Sequence, residues 1–589
     1  MLIYYNFDIL SISTFVANQK KTVMNIYFKT LSILLFTSVS TIQAQTDIKD
    51  YEMQWEGELN IKNAFNFSVS IKILNDNEYN FSIYNEGFNF NKKVKSTADT
   101  YIEFNIDNNT SFNGILNKKK SEINGFISSG FYFYHVQLIQ SENGTYTGKW
   151  NLFMLDEVLS KSIYLSIENV TTTSFDAFPF FGEQRFAGTN AMNSKLNGNT
   201  ITFQDVRTGL HFRGKLLKET IQLDLLVANT VFTAVTLKKS TTEWKLGQYS
   251  SSKNNLLPLN DGWKIDLLKN TALLQKMEDS ILQKKLINTH SVLIAKKGKI
   301  IYEKYFEGFT NNTPHDQRSA SKSIASAITG IAINDKLIKS DADFLYDYIP
   351  KAYQYTKDTL KSAIKIKDLL TMSSGIDAVD FGIKRKSKAS EPAYQNSPDW
   401  LKTVLEAPMI HKPGTVANYG SANPFLLGVI LNDLTPIPLP LYMDQKLFKP
   451  LGISNYTIQK DMTGNPYFGG GMYITSRDML KFGQLYVSKG KWNGKKIVSK
   501  KWVEKSFKNY LEFSNTKDKN GYGYLWWHKT YTIKGKDIKS IEARGNGGQY
   551  IFVIPALKTV CVITAGNYRS SKTQQPEYIL ENYILPSLL

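Results

Sequence analysis

Cysteine is nearly missing from this chain: a single residue, Cys561, stands among 589. No internal disulfide can form, and Cys561 sits in an apolar strand-like run that predicts a buried core position. Histidine is also scarce, at positions 135, 211, 290, 315, 411 and 528. No spaced cluster of His or Cys suggests zinc. No Gly-x-Ser-x-Gly elbow occurs, so an α/β-hydrolase triad has no support. The run Phe468-Gly469-Gly470-Gly471 lacks the Lys-Ser/Thr of a phosphate loop and predicts a turn against the wall of a site. No metal or cofactor is expected. No apolar run is long enough for a transmembrane segment. The net charge is +19, from 71 Lys and Arg against 52 Asp and Glu. The lysines are scattered, as in Lys118-Lys119-Lys120 and Lys495-Lys496, without interleaved aromatics. That pattern describes a solvated basic surface and predicts no nucleic-acid partner.

What is present begins with the segment from Arg318 to Ile333, where Ser319 and Lys322 stand three apart at the start of an apolar run. Residues three apart on a helix share a face, so hydroxyl and amine can touch. Ile324, Ile328 and Ile331 follow at helical spacing and predict a buried helix. Desolvation lowers a lysine's pKa, and a neutral amine can take the proton of a serine nucleophile. Ser-x-x-Lys also occurs at Ser250, Ser362, Ser488 and Ser514, but only Ser319 opens a long apolar helical run. The alternative reading makes Ser319 a plain helix N-cap.

Two further segments bear on the choice. Tyr419 follows the turn signal Lys412-Pro413-Gly414 and precedes a second apolar helix, and a phenol near an ammonium can act as general acid and base. Ala543 to Pro555 carries glycines at 545, 547 and 548 ahead of a predicted strand, Tyr550 to Ile554. A strand edge beside the nucleophile can supply an oxyanion hole. Thr475 to Asp478 reads as a capping box for the helix Met479 to Val487. Trp526 and Trp527 are read either as the lining of an acyl pocket or as strand core.

Together, these three segments resemble the serine β-lactamase and penicillin-binding-protein superfamily, in the branch of class C-like esterases and 6-aminohexanoate-dimer hydrolases. Supporting phrases are Leu369 to Gly375, Gly469 to Tyr473, and Gly521 to Tyr524 with Trp526 and Trp527 behind. The resemblance implies Ser319 as the acylated nucleophile, with Lys322 and Tyr419 as proton-transfer groups. It places the backbone N–H groups of Ser319 and Asn546 in the oxyanion hole, and Ser421, Gly545 and Trp526 against substrate. Two departures stand out. The family's Tyr-x-Asn reads Tyr419-Gly420-Ser421, and the Lys or His of its third motif is Ala543, next to Arg544. That cation meets the substrate carboxylate in β-lactam and D-Ala-D-Ala chemistry. The expected substrate is therefore a small-molecule ester or amide, with β-lactamase or D-alanyl-D-alanine peptidase activity, or a catalytically lapsed sensor, as the rival readings.

The resemblance covers about Leu257 to Leu589 and implies an α+β fold, an antiparallel sheet with flanking helices plus a helical subdomain. Ahead of it, residues 46–245 predict an all-β module. Phe65, Phe67, Val69, Ile71 and Ile73 alternate with polar residues. Ile102-x-Phe104 with Phe112-x-Gly114-x-Leu116 echoes Ile201-x-Phe203 with Phe212-x-Gly214-x-Leu216, a repeat that predicts two related β units, either tandem barrels or one larger barrel or sandwich. Residues 246–256 read as a linker. Leu31 to Ser40, preceded by Lys29 and followed by Ile42-Gln43-Ala44, fits a signal peptide starting at Met24 and cleaved after Ala44. Residues 1–23 would then be an extension, and a periplasmic or secreted location is expected.

Overall fold

The computed structural model describes residues 47–589 apart from 61–64, 172–173, 187–188, 190, 242, 245–258, 267, 269–271 and 514–519. The expected signal segment and linker lie outside the described residues. Among those residues, sixteen strands run from Gln54–Glu58 to Thr230–Lys239 before the first α-helix, Ala272–Leu282. In the strand Asn66–Asn75, Phe67, Val69 and Ile71 point inward. Ile73 is 37% exposed, so the alternation ends two residues earlier than the sequence pattern suggests.

The internal repeat is present residue for residue. Ile102 pairs with Gly114 and Phe104 with Phe112 in one hairpin. Ile201 pairs with Gly214 and Phe203 with Phe212 in the other. Each hairpin belongs to its own eight-strand antiparallel array. The second array is completed by Gln54–Glu58, which inserts between Ser162–Glu168 and Thr230–Lys239. The two arrays share one core, with Phe232 packing edge-on to Phe67 and Phe88. Inner faces interdigitating in this way make one larger β assembly instead of two separate barrels.

The C-terminal region is built on a nine-strand sheet whose central strands are Thr289–Lys296, Thr559–Ala565, Gln549–Ile554 and Lys536–Gly545. Side chains alternate across it, as the two-residue period of a strand requires. Val292, Ile294, Phe552, Cys561 and Ile563 face the helix Ala272–Leu282 and the C-terminal Leu580 and Ile584. Leu293, Ala295, Ile551, Val553 and Val562 face the helix Ser476–Val487 and an all-helical part. Thr475 caps Ser476–Val487: its hydroxyl accepts from Asp478 N and donates to the Asp478 carboxylate. The helix starts three residues ahead of the expected Met479.

The β region and the helical region are joined by one sheet. Tyr132, Phe133 and Tyr134 of the module pair with Gln459, Ile458 and Thr457. The strand Tyr456–Gln459 then pairs with Met472–Thr475, and that strand with Pro314–Asp316. Three of the eleven strands in this sheet therefore belong to the C-terminal region. Side chains seal the junction: Lys460 Nζ donates to Ser128 Oγ at 2.7 Å, and His135 pairs with Asp444 at 3.3 Å, the second pair almost fully buried. Thr46 to Leu589 is accordingly one compact unit. The last strand of the series, Pro314–Asp316, ends three residues before Ser319.

Candidate active site

Ser319 sits in a single 3-10 turn, Arg318–Ser321, that runs directly into the α-helix Lys322–Asn334. The turn is fixed at its start by Gln317 N donating to Met472 O at 2.8 Å. Arg318 has a left-handed backbone, φ +46°, held by its N–H to Asp316 Oδ1 at 3.0 Å and its guanidinium to Asp316 Oδ2 at 2.8 Å. This sharp bend sets Ser319 at the mouth of the helix. The N-cap position belongs to Ser321, so Ser319 is not a helix cap. Ile324, Ile328 and Ile331 are buried, as their spacing predicts.

Lys322 is 1% exposed, and its Nζ donates to Ser319 Oγ at 2.8 Å and to the carbonyl of Gly469. Ser319 is half-buried. Ser319 is thus partly open to solvent while its amine partner stays desolvated. The Gly469 carbonyl comes from the glycine turn expected against the site wall. Tyr419 completes the cluster: the Lys322 ammonium lies 5.3 Å from its ring centroid, and its hydroxyl interacts with Ser319 and Lys322. Burial raises the Tyr419 pKa, and the neighbouring Lys322 and Ser319 pull against that rise. The structure therefore brings Ser319, Lys322 and Tyr419 together, although the first and last stand one hundred positions apart.

The strand Lys536–Gly545 ends against the turn that carries Ser319. A Cβ on Gly545 would lie 2.2 Å from Gln317 O and 3.2 Å from Ala320 N. Only glycine permits that approach, and it leaves Asn546 exposed beside Ser319's turn. Ala543 is buried, and Arg544 is occupied: it binds Glu542 at 2.7 Å and Glu577 at 3.4 Å, with its guanidinium 5.1 Å from the Trp527 ring centroid. Its charge is cancelled by two buried carboxylates and does not replace the missing cation of the third motif.

Two expected substrate contacts need correction. Trp526 is fully buried and packs on Phe482, Tyr486 and Phe507, in the core behind the site. The adjacent Trp527 points the other way and stacks on Tyr419 at 5.4 Å. Ser421 is 1% exposed, and its N–H and hydroxyl both donate to Asp380 Oδ2 at 2.7 Å. Asp380 is a site residue that no motif spacing revealed. Its Oδ1 accepts from Glu391 N at 2.7 Å, and burial together with Glu391 pushes its pKa up to about 6, opposed by Lys322. The Gly469 carbonyl was equally hidden, since a backbone acceptor carries no sequence signature.

Comparison with known proteins adds the decisive finding. The family profile described as Beta-lactamase matches residues 274–582, just over half of the chain, and spans Ser319, Lys322, Tyr419 and Gly545. The chain belongs to the β-lactamase family. A "Putative D-alanyl-D-alanine carboxypeptidase" of Escherichia coli (strain K12) is 28% identical over 207 residues, covering 32% of this chain and 47% of that protein. The 6-aminohexanoate-dimer hydrolase of Paenarthrobacter ureafaciens is 22% identical over 287 residues, covering 46% of this chain and 71% of that one. Among solved structures, a penicillin-binding-protein homologue from Caulobacter crescentus aligns with a TM-score of 0.44 and 10% identity, over 55% of this chain and 99% of its own. The match thus spans about half the length of the Escherichia coli relative. One of these relatives is named a hydrolase, so hydrolases occur among the proteins this β-lactamase-family chain resembles.

Proposed function

We propose that this protein is a secreted serine hydrolase that cleaves an ester or small amide through an acyl-enzyme on Ser319. The observation that carries the reading is the 2.8 Å hydrogen bond from the buried Lys322 amine to the half-exposed Ser319 hydroxyl. In its neutral form Lys322 takes the Ser319 proton as Oγ attacks the carbonyl carbon. The oxyanion forms between the N–H groups of Ser319 and Asn546, close to the positive end of the helix Lys322–Asn334. Tyr419 passes a proton to the leaving oxygen or nitrogen as the scissile bond breaks. Water then attacks the acyl carbon through the same groups in reverse, and the acid leaves with Ser319 restored. Secretion rests on the segment from Lys29 to Ala44.

The amide named for the Paenarthrobacter relative and the ester chemistry of the family both fit this scheme. Peptidase and β-lactamase activities fit it less well, because Ala543 and the paired Arg544 offer no cation to a substrate carboxylate. The test is hydrolysis of p-nitrophenyl acetate and labelling by a fluorophosphonate. Both are expected in the native chain and absent in Ser319→Ala. Equal rates in the two proteins would assign the chemistry to another serine, and silence in both would remove the enzyme reading.

A further inference from the structure

Lys322 is held between two walls that belong to neither a helix nor a strand. One is the segment from Tyr419 to Ser421, which carries the phenol hydroxyl. The other is the turn reaching Gly469, whose carbonyl accepts from Lys322 Nζ. Without a ladder of their own, such segments depend on side chains for the hydrogen bonds that fix them. Asp380 supplies them for the first wall. Its N–H donates to Tyr419 O at 2.9 Å, and its Oδ2 accepts from both the N–H and the hydroxyl of Ser421 at 2.7 Å. Between those contacts the two backbones touch: a Cβ on Gly420 would lie 1.8 Å from Ala378 O.

Glu391 supplies them for the second wall. Its Oε1 accepts from the Tyr467 hydroxyl at 2.5 Å, and the Tyr394 hydroxyl bonds the same phenol. The Tyr467 ring lies across Gly469 and leaves no room there for a Cβ. Glu391 N in turn donates to Asp380 Oδ1 at 2.7 Å. The two walls are therefore tied together at Asp380. Among the described residues, the charged and titratable groups that face it are Glu391, Lys322 and the phenols of Tyr394 and Tyr419. Burial and Glu391 push its pKa up to about 6, with Lys322 opposing. A neutral side chain would make a structural tie without that penalty, and a perturbed carboxyl beside proton-transfer groups marks a functional position.

We infer that Asp380 is a positioning residue that acts through Tyr419: by tying the Tyr419 segment to Glu391, and so to the Gly469 turn, it holds the phenol hydroxyl and the Lys322 amine in one frame around Ser319. The inference rests on the proposed role of Tyr419 in proton transfer. Asp380 itself touches no reacting atom in this scheme. Its ionised form serves three donors, Ser421 N, Ser421 Oγ and Glu391 N. A proton on either oxygen turns an acceptor into a donor, so the frame is complete only above the pH at which Asp380 ionises.

The test is a double-variant cycle on p-nitrophenyl acetate. Asp380→Ala frees the Tyr419 segment and should lower kcat about 10²-fold, with KM changed less than about threefold. In the Tyr419→Phe background the same replacement should cost less than about threefold, because no phenol hydroxyl remains to be misplaced. Asp380→Asn keeps the shape of the side chain and carries the test if the alanine variant does not fold. With its oxygen towards Ser421, its amide group faces the Glu391 N–H, so kcat should still fall about tenfold. The pH profile gives a second readout. Native kcat should show a step near pH 6, falling as Asp380 takes up its proton, and Asp380→Asn should lack that step. Equal losses with and without the Tyr419 hydroxyl, or a step near pH 6 that persists in Asp380→Asn, would leave Asp380 a structural residue and overturn the inference alone. Tyr419→Phe turning over at the native rate would instead overturn the reading of Tyr419 on which it rests.

Discussion

Replacing Gly545 by alanine should abolish most of the activity while leaving the fold intact. The added Cβ would lie 2.2 Å from Gln317 O, where ordinary contacts begin above 3 Å. Either the strand Lys536–Gly545 or the Arg318–Ser321 turn must yield by about 1 Å. Both carry a proposed oxyanion donor, at Asn546 and Ser319, so the separation of the two N–H groups grows by that amount. An oxyanion donor works at 2.7–3.1 Å, and a shift of about 1 Å removes one of the two hydrogen bonds. Loss of one donor costs about 2.7–4 kcal/mol in the transition state, or about 10²–10³ in kcat. The ground state suffers only an overpacking penalty of about 1–3 kcal/mol, which lowers Tm by a few degrees in a domain of this size. Steady-state hydrolysis of p-nitrophenyl acetate alongside a thermal melt distinguishes the two effects. A variant with kcat within threefold of the native value and an unchanged melt would refute the argument, because neither backbone would have needed to move.

Other perturbations follow from the same geometry. Tyr419→Phe removes the proposed acid–base hydroxyl and should lower kcat about 10²–10⁴-fold, measured against the same ester. Arg544→Ala should act on stability, not on KM: it leaves the buried Glu542 without its cation, while Glu577 keeps Lys529, and should cost about 3–5 kcal/mol, read as a large fall in denaturation midpoint. Acid should loosen the segment leading to Ser319. Burial of Glu307 disfavours its ionisation, but hydrogen bonds from His290 and Lys284 outweigh this and bring its pKa down to about 2 from an ordinary 4.5. A lowered carboxyl pKa contributes stability that is fully present above about pH 4.5 and lost as pH falls towards about 2, and Glu307→Gln should flatten the melting temperature across that window.

The parts of this structure that the sequence disclosed are the ones encoded over short distances. Ser319, Lys322 and the buried isoleucines behind them lie within one short turn and the helix it runs into, so period and motif point the same way. The repeat was visible because a hairpin places Ile102 opposite Gly114, and Ile201 opposite Gly214, at short range along the chain. What stayed hidden depends on parity or on distance. In the pair Trp526-Trp527 one ring must enter the core and the other the site, and nothing local says which. Asp380 reaches Ser421 across forty-one positions through a fold that no spacing rule describes. The pairing of Tyr132–Tyr134 with Thr457–Gln459 spans more than three hundred residues. The Phe468–Gly471 segment was rightly read as a turn, but only three dimensions reveal that its carbonyl holds the lysine.

That long-range pairing makes each half of the chain depend on the other for a complete sheet. The strand Tyr456–Gln459 finds its outer partner only in the module, so a chain cut between the halves would bare an unpaired strand edge, a ready template for self-association. A C-terminal half moved without the β module would carry that bare edge with it. Trimming this chain to its C-terminal segment should therefore give self-associating material, where Thr46 to Leu589 forms one compact unit.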